Sequence, residues 1–223
     1  MDFDFSSLTN SLPSIGTGFN PNNDKVVTPI RYPTIPQADR EPVTLINPQN
    51  DKGPWIAGGA PMRWYQGQPV GDSDIDVFCR SARQAETLID EIKSYGRYHV
   101  RAETANAVTI DYWTKGDAST KWTIQIIRRT FFNSVEEIIK TFDITVCQIA
   151  TDGNEWTLGD RTARDIREKN LCMSLPLHDD AVKRLVKYWV YGFRPVDGLL
   201  DAIKDNPETK WAFNPAEDYS DAF

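Results

Sequence analysis

The chain has 223 residues, 40% of them hydrophobic and 26% charged, which is enough apolar material for one sizeable core and too much for a disordered polymer. Its net charge of −7 argues against a passive nucleic-acid coat protein, although basic patches or bound metal ions can reverse the field at one site. No apolar run reaches the roughly 20 residues that span a bilayer, and the N-terminus lacks the basic start and apolar stretch of a secretory signal.

Three separated cysteines, Cys79, Cys147 and Cys172, fit buried thiols in a reducing, cytoplasmic setting better than a disulfide or zinc framework. Only two histidines occur, His99 and His178, which argues against a histidine metal site or a Ser-His-Asp triad.

Residues 1–50 are rich in Pro, Asn, Gly and Ser and carry no sustained periodicity, so an extended, flexible arm is expected there. Order is expected over 51–153. "WIA" at Trp55–Ala57 reads as a strand that turns at Gly58-Gly59 into a short helix over Met62–Tyr65, with Pro61 in its first turn. Gly67, Pro69 and Gly71 break the chain before the strand "DIDVFC". "SARQAETLIDEIKSYG" has Ser81 as cap, apolar residues at helical spacing and Gly96 as stop. "YHVRAET", "NAVTIDYW" and "KWTIQIIRR" read as three more strands, joined by turns around Asn106 and Gly116-Asp117, "NSVEEIIKTF" is a short helix capped by Asn133 or Ser134, and "DITVCQIA" is the last strand, closed by Asp152-Gly153. From 154 to 223 the pattern becomes helical: "GDRTARDIREKNL", "DDAVKRLVKYWVYGF" and "VDGLLDAIKD", then an acidic, aromatic tail. The fold class is α/β (α+β): a small mixed sheet flanked by helices, followed by a C-terminal helical segment.

Asp74 and Asp76 are two residues apart, so on a strand they point to one side, about 6.6 Å apart along it. Two carboxylates sharing a space repel, and a divalent cation removes the conflict. Mg²⁺ takes oxygen ligands from one or two carboxylates plus substrate phosphates. Two such ions about 3.5–4 Å apart clamp the attacking and leaving oxygens of an in-line displacement. A third carboxylate usually holds the second ion, and Asp143, opening "DITVCQIA", is the best candidate. Gly58 and Gly59 permit close backbone approach to a phosphate at a helix start, and Arg63 adds a forked cation.

The stretch "GGAPMRWYQGQPVGDSDIDVF" resembles the signature of the DNA polymerase β-like nucleotidyltransferase superfamily, which includes CCA-adding enzymes, poly(A) polymerases, oligoadenylate synthases, cyclic dinucleotide synthases and antibiotic adenylyltransferases. The resemblance implies a small mixed sheet with Asp74, Asp76 and Asp143 on adjacent strands holding two Mg²⁺ or Mn²⁺ ions, and it places Gly58, Gly59, Arg63 and Ser73 around the nucleotide. Against the CCA-adding pattern GG-x-V-R-D, Arg63 falls one position later and Trp64 stands where the acid would be. "VKRLVKYWVYGF" resembles the helix of oligoadenylate and cyclic dinucleotide synthases whose lysine contacts the triphosphate. Lys187 is the matching residue, Lys183 lies one turn earlier, and Tyr188 is placed to stack on a base.

These residues together imply a nucleotidyltransferase that moves a nucleoside monophosphate from a triphosphate, ATP among the candidates, to an acceptor hydroxyl. An RNA or tRNA end is the first candidate acceptor, with a protein side chain or a small molecule as alternatives. A chain of this length is expected to lack the large tRNA-gripping domains of a housekeeping CCA-adding enzyme. A compact phage or mobile-element protein acting in the host cytoplasm fits this description. The rival is a catalytically silent nucleotide- or partner-binding protein, with the arm or the tail as the contact to a protein partner.

Overall fold

The computed structural model describes residues 27–30, 34–46, 52–114, 120–175, 179–196 and 198–199. The chain forms two compact units. Of the described residues, one unit holds those within 27–141 and 147–160, and the other holds those within 142–146 and 161–199. No helix among the described residues is long and apolar enough to cross a membrane.

The first unit is built on an eight-stranded mixed sheet among the described residues. Its strands are β1 (Val27–Ile30), β2 (Trp55–Ala57), β3 (Ile75–Phe78), β4 (Arg97–Glu103), β5 (Ala107–Trp113), β6 (Lys121–Ile127), β7 (Ile149–Thr151) and β8 (Trp156–Leu158). Their spatial order is β1-β8-β7-β2-β3-β6-β5-β4. The β3–β6 pairing is parallel and the others are antiparallel. Among the described residues, four α-helices accompany the sheet: α1 (Arg40–Ile46), α2 (Gly59–Tyr65), α3 (Ala82–Tyr95) and α4 (Val135–Ile139).

The sequence dictates these elements directly. In α3, Ser81 accepts a hydrogen bond from the Gln84 amide, and Ala85, Leu88, Ile89 and Ile92 fall at helical spacing on one buried face. Burying each of the three larger side chains is worth roughly 1.5–3 kcal/mol, so a polar residue at Leu88 would detach the helix. In β3, Ile75 and Val77 enter the core while Asp76 stays half-buried, the alternation expected of a strand with one apolar face. Register carries that face outward: Ile75 opposes Ile124, which opposes Ile110, and Trp122 opposes Tyr112. α4 has Ser134 as its cap, with Glu137 reaching back to the Asn133 amide.

Several expectations are corrected. Residues 27–46 are not simply an arm: Val27–Ile30 pairs with β8, and α1 carries buried Val43, Leu45 and Ile46. The anchor is Asp39, buried in the turn before α1. It accepts from Trp64 Nε1 at 2.7 Å, the Val70 amide at 2.7 Å and Trp122 Nε1 at 3.1 Å. Tertiary partners thus order a segment whose own composition predicts none. "DITVCQIA" is not one strand; Thr145–Cys147 is a 3-10 turn and β7 begins at Ile149. β7 then turns through Asp152 and Gly153 into β8, a strand the sequence reading missed.

The second unit contains α5 (Thr162–Glu168), α6 (Asp179–Val190) and a small parallel pair, β9 (Asn170–Leu171) with β10 (Arg194–Pro195). α5 ends at Lys169 in the left-handed conformation, φ 59°, where its backbone amide closes onto Asp165 and Ile166 carbonyls. The rest of "VDGLLDAIKD" beyond Leu199, the acidic tail and His178 lie outside the described residues.

Candidate functional site

In the sheet unit, the chain leaves β2 at Gly58, whose φ of 88° is readily adopted only by glycine. Its amide donates to the Ile149 carbonyl at 2.9 Å, which fixes the turn against β7. α2 follows with no side-chain cap at Gly58. Ala60, Met62 and Trp64 bury while Arg63 faces outward, half-buried. Arg63 Nε donates to the Pro69 carbonyl at 2.9 Å, and its own carbonyl accepts from the Gln68 amide at 3.0 Å. Arg63 therefore tethers the loop that delivers Ser73 and Asp74 to β3.

Asp74 and Asp76 flank fully buried Ile75, and both are half-buried on the side of β3 away from the core. The same face continues across the sheet. Asp76 is paired with Gln125 of β6, and Gln125 with Thr109 of β5. One row along, Thr123 is paired with Asp111. Asp111 is an acid the sequence reading passed over. It is buried, receives Arg101 at 2.7 Å and the Thr123 hydroxyl at 3.0 Å, and has Lys121 at 3.9 Å. The alternation of "AVTIDYW" was the signal that could have placed it on this face. Among the described residues, no three His, Cys, Asp or Glu side chains form a group that could hold a metal ion.

The remaining expected site residues belong to the other unit. Asp143 is not on a strand beside β3, which has β2 and β6 as neighbours. Instead it precedes the Ile144–Met173 bridge, is buried, and is met by Arg184 Nη2 at 2.6 Å. Thr145 explains the departure: its amide donates to the Cys172 carbonyl and its hydroxyl to the fully buried Asp165, bonds that a continuing strand would forfeit. Arg161 and Arg164 lie beside Asp165 at 3.5 and 3.7 Å, while Arg167 meets Glu168 at 3.4 Å. On α6, Lys183 and Lys187 are exposed one turn apart. Tyr188 is buried and packs edge-on against Tyr191 and Phe193. Elsewhere, Arg128 bridges Glu86 and Glu103, each at 2.8 Å, and His99 is exposed.

Comparison with solved structures finds the same fold. The Bacillus stearothermophilus CCA-adding enzyme in complex with CTP is similar with a TM-score of 0.54 at 20% identity, over 76% of this chain and 44% of that one. The apo form I of a CCA-adding enzyme gives 0.51 at 16% identity, over 78% and 45%. A tRNA-processing enzyme in apo form I gives 0.51 at 16%, over 82% and 52%. The chain thus spans about half the length of these structures, and at such identities the likeness is one of nucleotidyltransferase-like fold. No curated protein matches the sequence. A family model does match, over residues 34–169, more than half of the chain and including the Gly58 turn, β3 and both half-buried aspartates; the chain belongs to the Gabija anti-defense 2 family.

Proposed function

We propose that this protein is a metal-dependent nucleotidyltransferase that moves a nucleoside monophosphate from a nucleoside triphosphate to an acceptor hydroxyl, acting in the cytoplasm. The observation that carries the proposal is the Asp74–Asp76 pair, half-buried on the non-core side of β3 and delivered by the Gly58 turn and the Arg63-tethered loop. Their oxygens suit Mg²⁺ or Mn²⁺, hard cations that bind one or two carboxylates together with substrate phosphates. Such an ion, when bound, screens phosphate charge and polarises the α-phosphate. The chemistry balances without a covalent enzyme intermediate. The acceptor oxygen bonds to the α-phosphorus, the bond to the α–β bridging oxygen breaks, pyrophosphate leaves with that electron pair, and the hydroxyl proton passes to a carboxylate or to water. The residues contribute positioning and charge.

The fold shared with a CTP-bound CCA-adding enzyme and a tRNA-processing enzyme supports a nucleotide as first substrate and an RNA end as first acceptor. Membership of an anti-defense family fits a transfer that disables a component of a defence system. The same membership also favours a second reading, a silent protein that only binds its target. Incubation with Mg²⁺, each α-labelled triphosphate and total RNA or lysate separates the two. Labelled product with wild type and none with Asp74→Asn/Asp76→Asn supports transfer. Unlabelled RNA, protein and small molecules from a wild type that still binds triphosphate would falsify it.

A further inference from the structure

The row of residues across the sheet from Asp76 carries Gln125 and Thr109, neither of them charged. Asp76 and Gln125 are paired across the parallel β3–β6 ladder. Adjacent strands lie about 4.8 Å apart, and the β6 residue paired with the aspartate carries an uncharged amide. Gln125 Nε2 donates to the Thr109 hydroxyl at 3.3 Å. That bond commits the donor end of the amide toward β5 and leaves Oε1 as the oxygen Gln125 can offer a ligand. The next acid on the face, Asp111, already has Arg101 and Thr123 as partners.

Two divalent ions about 3.5–4 Å apart repel each other strongly and are normally held by several shared carboxylates. One ion needs only a carboxylate or two, neutral oxygens and the phosphates it arrives with. We infer that Gln125 is the third ligand-bearing residue of the Asp74–Asp76 site and that its neutral amide sets the site to hold one divalent ion tightly, not two. This rests on the nucleotidyltransferase assignment above. It departs from the two-ion arrangement expected from sequence, and it assigns a role to a residue that expectation did not include.

The test counts ions. Mn²⁺ is titrated into the full chain with a triphosphate analogue carrying a methylene in place of the α–β bridging oxygen, and free Mn²⁺ is read by electron paramagnetic resonance. Wild type should bind one tight ion per chain. Gln125→Glu should gain a second, and Gln125→Leu, which keeps the side-chain bulk but removes Oε1, should weaken the first by roughly threefold to tenfold. Circular dichroism on each variant confirms the fold. Two ions of comparable affinity in wild type, or unchanged binding in folded Gln125→Leu, would overturn the inference. The Asp74→Asn/Asp76→Asn variant distinguishes the two levels. If it binds Mn²⁺ as wild type does, the nucleotidyltransferase assignment fails. If it loses the ion while folded Gln125→Glu still binds only one, the role of Gln125 alone fails.

Discussion

Replacing Asp39 by alanine tests how the site-bearing loop is held. The carboxylate collects three N–H donors: the indoles of Trp64 and Trp122 and the Val70 amide. Asp39 is 2% exposed, Trp64 0% and Trp122 4%, so water has little access to take over. Each buried donor left without an acceptor costs about 1–3 kcal/mol. The sum is reduced by relaxation into the space alanine opens, which brings the expected loss to about 3–5 kcal/mol, the range for deleting one partner of a buried charged set. Asp39→Asn retains one acceptor oxygen but turns an NH₂ toward another donor, so about 2–4 kcal/mol is expected. Urea unfolding followed by tryptophan fluorescence reads the loss, since Trp64 and Trp122 sit beside the change. Under the proposed function, triphosphate binding should weaken along with stability, because Val70 lies in the loop leading to Asp74. A loss below about 1 kcal/mol in Asp39→Ala would refute the view that this carboxylate is the latch.

A Cβ on Gly96 would lie 2.8 Å from the Tyr112 ring and 3.2 Å from the Trp113 carbonyl oxygen. Gly96→Ala should therefore cost about 1–3 kcal/mol, seen as a lowered melting temperature. A double-mutant cycle on Asp143→Ala and Arg184→Ala should show a coupling of about 1–3 kcal/mol in urea unfolding; a coupling near zero would mean that the 2.6 Å contact contributes nothing. Burial pushes the Cys79 thiol from 9.0 up to about 12, and burial with the nearby Asp165 charge pushes Cys172 up to about 11. Ellman's reagent at pH 8 should accordingly label native Cys79 and Cys172 far more slowly than the chain in guanidinium. Their contribution to stability is complete below the ordinary thiol value and declines as pH rises toward the native ones, so unfolding at pH 10 should need less urea than at pH 8.

The sheet unit was legible wherever local pattern and tertiary role agree. α3 announces itself by Ser81, four apolar residues at helical spacing and Gly96, and the stretches read as strands form β4, β5 and β6. Gly58 and the Asp-x-Asp pair could be placed because a positive φ and a one-sided strand each demand particular residue types. Legibility ends where long-range partners decide. Nothing local to Asp39 reveals two tryptophans arriving from positions 64 and 122. "DITV" alternates like a strand, yet Thr145 is turned aside by Asp165 and Cys172, residues still to come in the chain. Gln125 carried no sequence signal because its neighbour across the ladder follows from register, and register is fixed by the whole sheet.

The acids themselves divide by what surrounds them. Asp39, Asp111 and Asp165 are each buried and each hold hydrogen bonds or cations supplied by the chain. A carboxylate so enclosed cannot exchange its partners for an incoming ion without first losing them to the protein's cost. Asp143, 4% exposed and met by Arg184, belongs with this group. Asp74 and Asp76 are less enclosed than these four. They are half-buried, side by side, on a strand whose opposite face is anchored by Ile75 and Val77. Under the proposed function, their partial exposure lets an ion arriving with its phosphates trade hydration for carboxylate oxygens, while the rigid strand fixes where those oxygens stand. One face of β3 supplies the rigidity and the other presents the paired carboxylates, and it is this division, more than the Asp-x-Asp spacing alone, on which the proposed function rests.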